Sequence, residues 1–233
     1  MKPDNKDSTG PPADRNADRY RTILLASASP RRLSLLTEWG VEFRVRPATG
    51  VDESTARGPA DSVARELAFA KAAWSRREEI AQGADESCLW VLGADTVVTI
   101  DGETLGKPRD EDHARAMLRR LSGRTHEVVT AVVVIPPSGE AHSEAEASTV
   151  LFRDLSTSEI DAYVASGDAL GKAGAYGIQT AGRRLVAGFQ GCYYTIVGLP
   201  MRLALRLLDV DSPPCDCPSR PGQRGVEGCG AVF

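Results

Sequence analysis

Residues 22–36 read TILLASASPRRLSLL, and the change of pattern within them decides the fold class. Thr22–Ser27 has the composition of a short buried strand. From Pro30 to Trp39 the apolar Leu33, Leu35 and Leu36 adopt helical spacing. Ser29 suits the N-cap of that helix and Pro30 its first position. A strand that passes so quickly into a helix is a unit of a layered α/β fold. The same turn is a candidate for chemistry. A helix N-terminus offers free N–H groups and a partial positive charge. Arg31 and Arg32 stand against that dipole, an arrangement that an anion would relieve. Guanidinium grips phosphate with two parallel hydrogen bonds. The simpler reading leaves both arginines solvated in a first helical turn.

Outward from this stretch the alternation continues. Residues 62–80 read as a long helix capped by Asp61 or Ser62. Leu89–Leu92 reads as a buried strand, continued after a turn by Thr96–Ile100. Asp110–Leu121 sets Ala114, Met117, Leu118 and Leu121 on one helical face. Glu127–Ile135 is a β-branched strand and Ala147–Phe152 a weaker one. Ser156 and Glu159 form a capping box for a helix through Ala165. Gly198–Leu208 completes the pattern, with Pro200 in its first turn. Residues 1–20 and 211–233, rich in Pro and Gly, are expected to be disordered tails flanking a single domain over 21–210.

Composition narrows the function. Of 233 residues, 42% are hydrophobic and 26% charged, the profile of an ordinary globular chain. A net charge of −4 argues against binding a nucleic-acid polymer or an anionic membrane surface. No stretch approaches the roughly 18 apolar residues that span a bilayer. The N-terminus lacks an apolar signal core, so the expected location is the cytoplasm. Five cysteines are an odd count and argue against a disulfide framework. Cys215, Cys217 and Cys229 lack a fourth ligand at a metal-site spacing. The three histidines, His113, His126 and His142, form no metal motif, with His142 read in a polar loop.

Several segments carry polar groups suited to catalysis. GVDES (50–54) pairs Asp52 with Glu53, which suits a hard divalent cation or a basic side chain. Lys71 interrupts an apolar helical segment; a surface lysine with a packed stem is the simpler explanation. Asp95 follows the Leu89–Leu92 strand, and strand ends are where open α/β sheets bind ligands. A carboxylate there binds metal or takes a proton from water. Lys107 lies in GETLGKP (102–108), whose spacing is not that of a P-loop. GKAGAYGIQTAG (171–182) has four glycines, suited to wrapping a ligand, and Gln179 offers donors and an acceptor to a base edge.

Together, LLASASPRRLSLL, VDES, AFAKA, GADTVV, LGKPRD, LSGRTHEVVTAV, GKAGAYGIQ and VGLP resemble the Maf family of nucleotide pyrophosphatases. The resemblance spans Thr22 to Leu208. It implies an elongated, curved mixed sheet flanked by helices, with two lobes around a cleft, like the inosine-triphosphate pyrophosphatase fold. It implies hydrolysis of a nucleoside triphosphate to the monophosphate and pyrophosphate with a divalent cation, Mg2+ expected and Mn2+ or Co2+ as substitutes. On the matching positions Asp95 is the general base. Ser27, Arg31 and Arg32 bind phosphate, and Lys71 and Lys107 lie near the phosphates. Glu53 and Asp95 hold metal, while Arg31, Thr96 and Gln179 set base specificity. Arg31 and the glycine-rich loop look like the subgroup that prefers dTTP and UTP and removes modified pyrimidines. A homodimer is implied as well. Thr180 departs from the glycine usual after Gln179. A nucleotide-binding regulator of division or stress is the competing class; the intact Asp95, Glu53, Lys71 and Lys107 set favours an enzyme.

Overall fold

The computed structural model describes residues 21–53 and 56–211; the two tails, with Cys215, Cys217 and Cys229, lie outside the described residues. Seven strands form one mixed sheet: β1 (Thr22–Leu25), β2 (Arg44–Val45), β3 (Leu89–Ile100), β4 (Glu103–Leu105), β5 (Thr125–Ile135), β6 (His142–Phe152) and β7 (Val186–Gln190). Their order is β2-β1-β3-β5-β6-β7, with β4 also on β3. β1 runs parallel to β2 and β3, and every other pairing is antiparallel. Among the described residues six α-helices accompany the sheet: α1 (Pro30–Glu38), α2 (Ala60–Ala81), α3 (Glu111–Leu121), α4 (Thr157–Ala165), α5 (Tyr193–Val197) and α6 (Met201–Leu207). The mixed α/β class is the one expected. Among the described residues no helix is long and apolar enough to cross a membrane.

One correction bears directly on function. The turn expected between Leu92 and Thr96 does not form. Residues 89–100 are a single strand, paired with β5 without interruption from Val91↔Ile135 to Thr99↔Glu127. Gly93 is there for another reason. A Cβ on it would lie 2.4 Å from the Ala68 carbonyl oxygen and 2.9 Å from the Ala72 Cβ. The glycine therefore lets α2 lie directly on the sheet, where a turn-like sequence has a packing role.

Asp95 accordingly sits in mid-strand, but at a gap. β3 pairs with β1 only over Leu89–Leu92, and β4 takes up the same edge only at Val98. Among the described residues, 93–97 have no strand partner on that side. Alternation along β3 sends Leu89, Val91, Gly93, Asp95 and Val97 toward α2. Leu92, Ala94, Thr96 and Val98 point to the opposite face. Two apolar clusters follow that division. One holds Leu24, Ala64, Ala68 and Val91 beneath α2; the other holds Leu35, Leu118, Ile160 and Met201 from α1, α3, α4 and α6.

Other boundaries moved for local reasons. α2 starts at Ala60 because the Pro59 carbonyl accepts the first helical bond from Val63 N, so Asp61 and Ser62 lie inside the first turn rather than at the cap. Gly198, at φ 117°, ends α5, a short helix that the sequence does not suggest. The helix expected over Gly198–Leu208 starts only at Met201, with Pro200 as its cap rather than in its first turn. β6 begins at His142, which is therefore strand rather than loop. Its exposed first half lacks the apolar signature of a strand. Asp110 and Ser156 cap α3 and α4, the latter with the full capping box.

Replacing Gly93 by Val should cost about 1–3 kcal/mol, the usual penalty for overpacking. The check is the urea midpoint of the variant against the parent; an unchanged midpoint would contradict the close approach of α2 to β3.

Candidate active site

The contact at Gly93 places Lys71 above Asp95. Lys71 Nζ lies 2.5 Å from Asp95 Oδ1 and 2.7 Å from Glu53 Oε1. Lys107 Nζ lies 2.6 Å from Glu53 Oε2. Lys107, Glu53, Lys71 and Asp95 thus form a chain of alternating sign. Lys71 and Asp95 are 8% and 7% exposed, so the surface-lysine reading is wrong: the ammonium is drawn inward by two carboxylates. A buried charge without such partners is strongly destabilising. Burial raises the Glu53 pKa, but hydrogen bonds from Lys107 and Lys71 outweigh it and hold the carboxyl at about 2.

The turn after β1 supplies the arginines. The buried Arg32 donates from Nε to the Gly198 carbonyl at 2.8 Å. Its terminal nitrogens donate to Ser27 Oγ at 3.1 Å and to Thr96 Oγ1 at 3.2 Å. Thr130 donates its one hydroxyl proton to the Thr195 carbonyl at 2.7 Å. In the 3.0 Å contact between the two hydroxyls, Thr96 is therefore the donor. The series Arg32 to Thr96 to Thr130 to the Thr195 carbonyl runs in one direction. Arg31 donates from Nε to the Val197 carbonyl at 3.3 Å, leaving its terminal nitrogens available for bidentate contact. Burial lowers the pKa of both arginines. For Arg31 the field of Asp168 opposes that effect, and for Arg32 that of Asp95 does.

The charged chain, both arginines, Ser27 and Thr96 line one cavity of about 450 Å3. Ser27, Arg31, Arg32, Glu53, Lys71, Asp95, Thr96 and Lys107 form its charged and polar part. Tyr176, Ile178, Ile196 and Val197 supply an apolar part, and Gln179 stands at the rim. The nine residues that the family resemblance points to all line this cavity, while Asp52, paired with Glu53 in the sequence, does not. Asp95 and Thr96 point to opposite faces of the sheet, yet both reach it through the gap in the β3 edge. A volume of this order suits a small-molecule ligand. Four cations against the two carboxylates of the chain give a locally positive cavity in an acidic protein, as a polyanion requires.

The donor set fits a hard divalent ion shared with a ligand. Glu53 and Asp95 converge closely enough to hold one ammonium between them, and both offer carboxylate oxygens. Among the described residues, no group of three or more His, Cys, Asp or Glu side chains is placed to hold a metal. Such an ion prefers six or more oxygens, so phosphate oxygens and water would have to complete its shell.

Residues 22–210 match the family model described as Maf-like protein. The chain belongs to the Maf-like family. Among its relatives is the dTTP/UTP pyrophosphatase of Syntrophomonas wolfei, 44% identical over 183 residues, covering 76% of this chain and 90% of that one. Another is the dTTP/UTP pyrophosphatase of Thermus thermophilus, 45% identical over 186 residues, covering 80% and 92%. A nucleoside-triphosphatase / dITP/XTP pyrophosphatase from Mycobacterium abscessus shows a partial structural likeness. It is 19% identical, covers 57% of this chain and 75% of that one, and has a TM-score of 0.36.

In this Maf-like chain the supports of the site escaped sequence reasoning. Thr130 lies opposite Thr96 in the β5 register. The Gly198 carbonyl is presented to Arg32 by a glycine in a left-handed conformation, beside which a Cβ would meet Thr96 Oγ1 at 3.1 Å. The TVV–VVT pairing of β3 and β5 offered a faint signal for Thr130; Gly198 offered only its glycine.

The low pKa of Glu53 has a consequence for stability. The unfolded carboxyl titrates near ~4.3, so the stabilisation is complete above that pH and is lost as the pH falls toward about 2. Urea denaturation of the parent and Glu53→Gln at pH 6 and pH 2.5 checks this. The stability gap between them should shrink at the lower pH; a gap independent of pH would contradict the ion chain.

Proposed function

We propose that this chain hydrolyses nucleoside triphosphates, dTTP, UTP and modified pyrimidine analogues among them, to the monophosphate and pyrophosphate. The observation that carries the reading is the buried Asp95 carboxylate. It faces a cationic cavity at the gap in the β3 edge between β1 and β4. Relatives named dTTP/UTP pyrophosphatase, aligned over most of both chains, support the choice of substrate. In this reading Arg31, Arg32, Lys71 and Lys107 exchange their protein partners for the triphosphate oxygens. Asp95 takes a proton from a water molecule, whose oxygen forms the new bond to the α-phosphorus. The bond from that phosphorus to the bridging oxygen breaks, and pyrophosphate leaves with its charge offset by the cations. Glu53 and Asp95 would hold a divalent cation, Mg2+ in the first instance, which supplies Lewis-acid neutralisation of the phosphates. Gln179 offers its amide to the base. The reading places the protein among the dissolved nucleotides of the cytoplasm, and the homodimer implied by resemblance can be measured by sedimentation.

Asp95→Asn keeps the shape and removes the base. Its kcat should fall by about two to four orders of magnitude. The assay follows a nucleotide panel with Mg2+ and resolves pyrophosphate from orthophosphate. Turnover near that of the parent would remove Asp95 from its role, and orthophosphate as the first product would replace the reaction with a phosphatase.

A further inference from the structure

The wall of the cavity that carries Gln179 is tied at both ends by one carboxylate outside the cavity. Asp168 follows α4. Its Oδ1 accepts from Lys172 Nζ at 2.6 Å, and its Oδ2 accepts from the Thr180 hydroxyl at 2.6 Å and the Tyr163 hydroxyl at 2.9 Å. The Asp168 carbonyl accepts from Lys172 as well. Lys172 and Thr180 bracket residues 173–179, of which Ala173, Tyr176, Gly177, Ile178 and Gln179 line the cavity. The bracketed segment is not relaxed. Ala175 is fully buried at φ 61°, a left-handed conformation that a residue with a Cβ rarely adopts. Such a conformation persists only where the surroundings impose it. Tyr176 has a separate anchor, a 2.8 Å hydrogen bond to His126 Nε2, so the middle of the segment is held from the sheet and its ends from Asp168.

We propose that Asp168 is a positioning residue for base recognition: it touches no substrate, but through Lys172 and Thr180 it fixes where Gln179 meets the base. This rests on the pyrimidine triphosphate reading above and says what sets selectivity within it. Thr180, where a glycine is usual in the resembling family, is in this chain the second arm of the tie. A single amide discriminates uracil from cytosine only if its oxygen and nitrogen are held in place. The two bases differ by an exchange of donor and acceptor at one edge, and a wall free to shift would accommodate either.

The test measures the Kd of α,β-imido UTP and α,β-imido CTP for the full chain, Asp168→Asn and Thr180→Ser. Pyrophosphate release from UTP is followed in parallel. The parent should prefer the uracil analogue. Asp168→Asn should bind it about tenfold more weakly, the effect of one lost hydrogen bond, with little change for the cytosine analogue. Its KM for UTP should rise while kcat changes little. Thr180→Ser keeps the hydroxyl and should retain the parental ratio. If Asp168→Asn does not fold, Thr180→Val removes one arm and should lower the same ratio. Unchanged selectivity in a folded Asp168→Asn or Thr180→Val protein overturns the inference. Equal weakening for both analogues, or a parent without preference, does the same. A collapsed ratio in a system that releases no pyrophosphate upholds the positioning role and refutes the hydrolytic reading.

Discussion

The approach of α2 to β3 at Gly93 is the constraint on which the site depends. With backbone oxygen and methyl carbon of the helix where a side chain would otherwise stand, Lys71 has Asp95 within reach. The ammonium is then buried, and burial makes its partners obligatory. Glu53 answers from the loop before α2, and Lys107 answers Glu53 from the loop after β4. Segments far apart in sequence are thereby fixed around one point by a packing requirement set by one residue without a side chain.

The second determinant is the division of labour along the β3 edge. β1 leaves the sheet to start α1, and β4 joins only after an interval. Across that interval the strand presents a carboxylate to one face and a hydroxyl to the other. The carboxylate works with α2; the hydroxyl steadies Arg32, whose remaining bonds reach Ser27 and the carbonyl of Gly198. A fully paired edge would keep these two halves on separate sides of the sheet. The open interval lets one cavity use both.

What the sequence disclosed was what is local. The capping box at Ser156, the apolar stripe of α3 and the strand-to-helix change near Pro30 depend on neighbours within a few residues, and all three appear in the structure. Gly93-Ala94-Asp95 misled because small residues before an acid have the composition of a turn. Only the helix lying on them shows why they are small. Lys71 misled for the same reason, since its burial is decided by carboxylates 18 and 24 positions away in the chain. The first half of β6 is polar or small at every position and offered no large apolar residue to read. Asp168 carried no signal, because its importance lies in which two later residues it binds. The residues that resemble the family motif were legible together, while the scaffold that aims them was not.

The alternating chain of Lys107, Glu53, Lys71 and Asp95 means that the site carries its own counter-ions. Arg31 and Arg32 are held by carbonyls and hydroxyls. At Lys71 and Lys107, however, a triphosphate does not meet bare cations; it trades places with carboxylates already in contact. Its net gain is the difference between two sets of ion pairs, which is far smaller than either set. Product departure is the reverse trade, with Glu53 and Asp95 ready to reclaim the cations that pyrophosphate gives up. A site of this kind holds a highly charged ligand firmly enough to react and loosely enough to turn over, because each ionic contact broken at the two lysines is replaced by another.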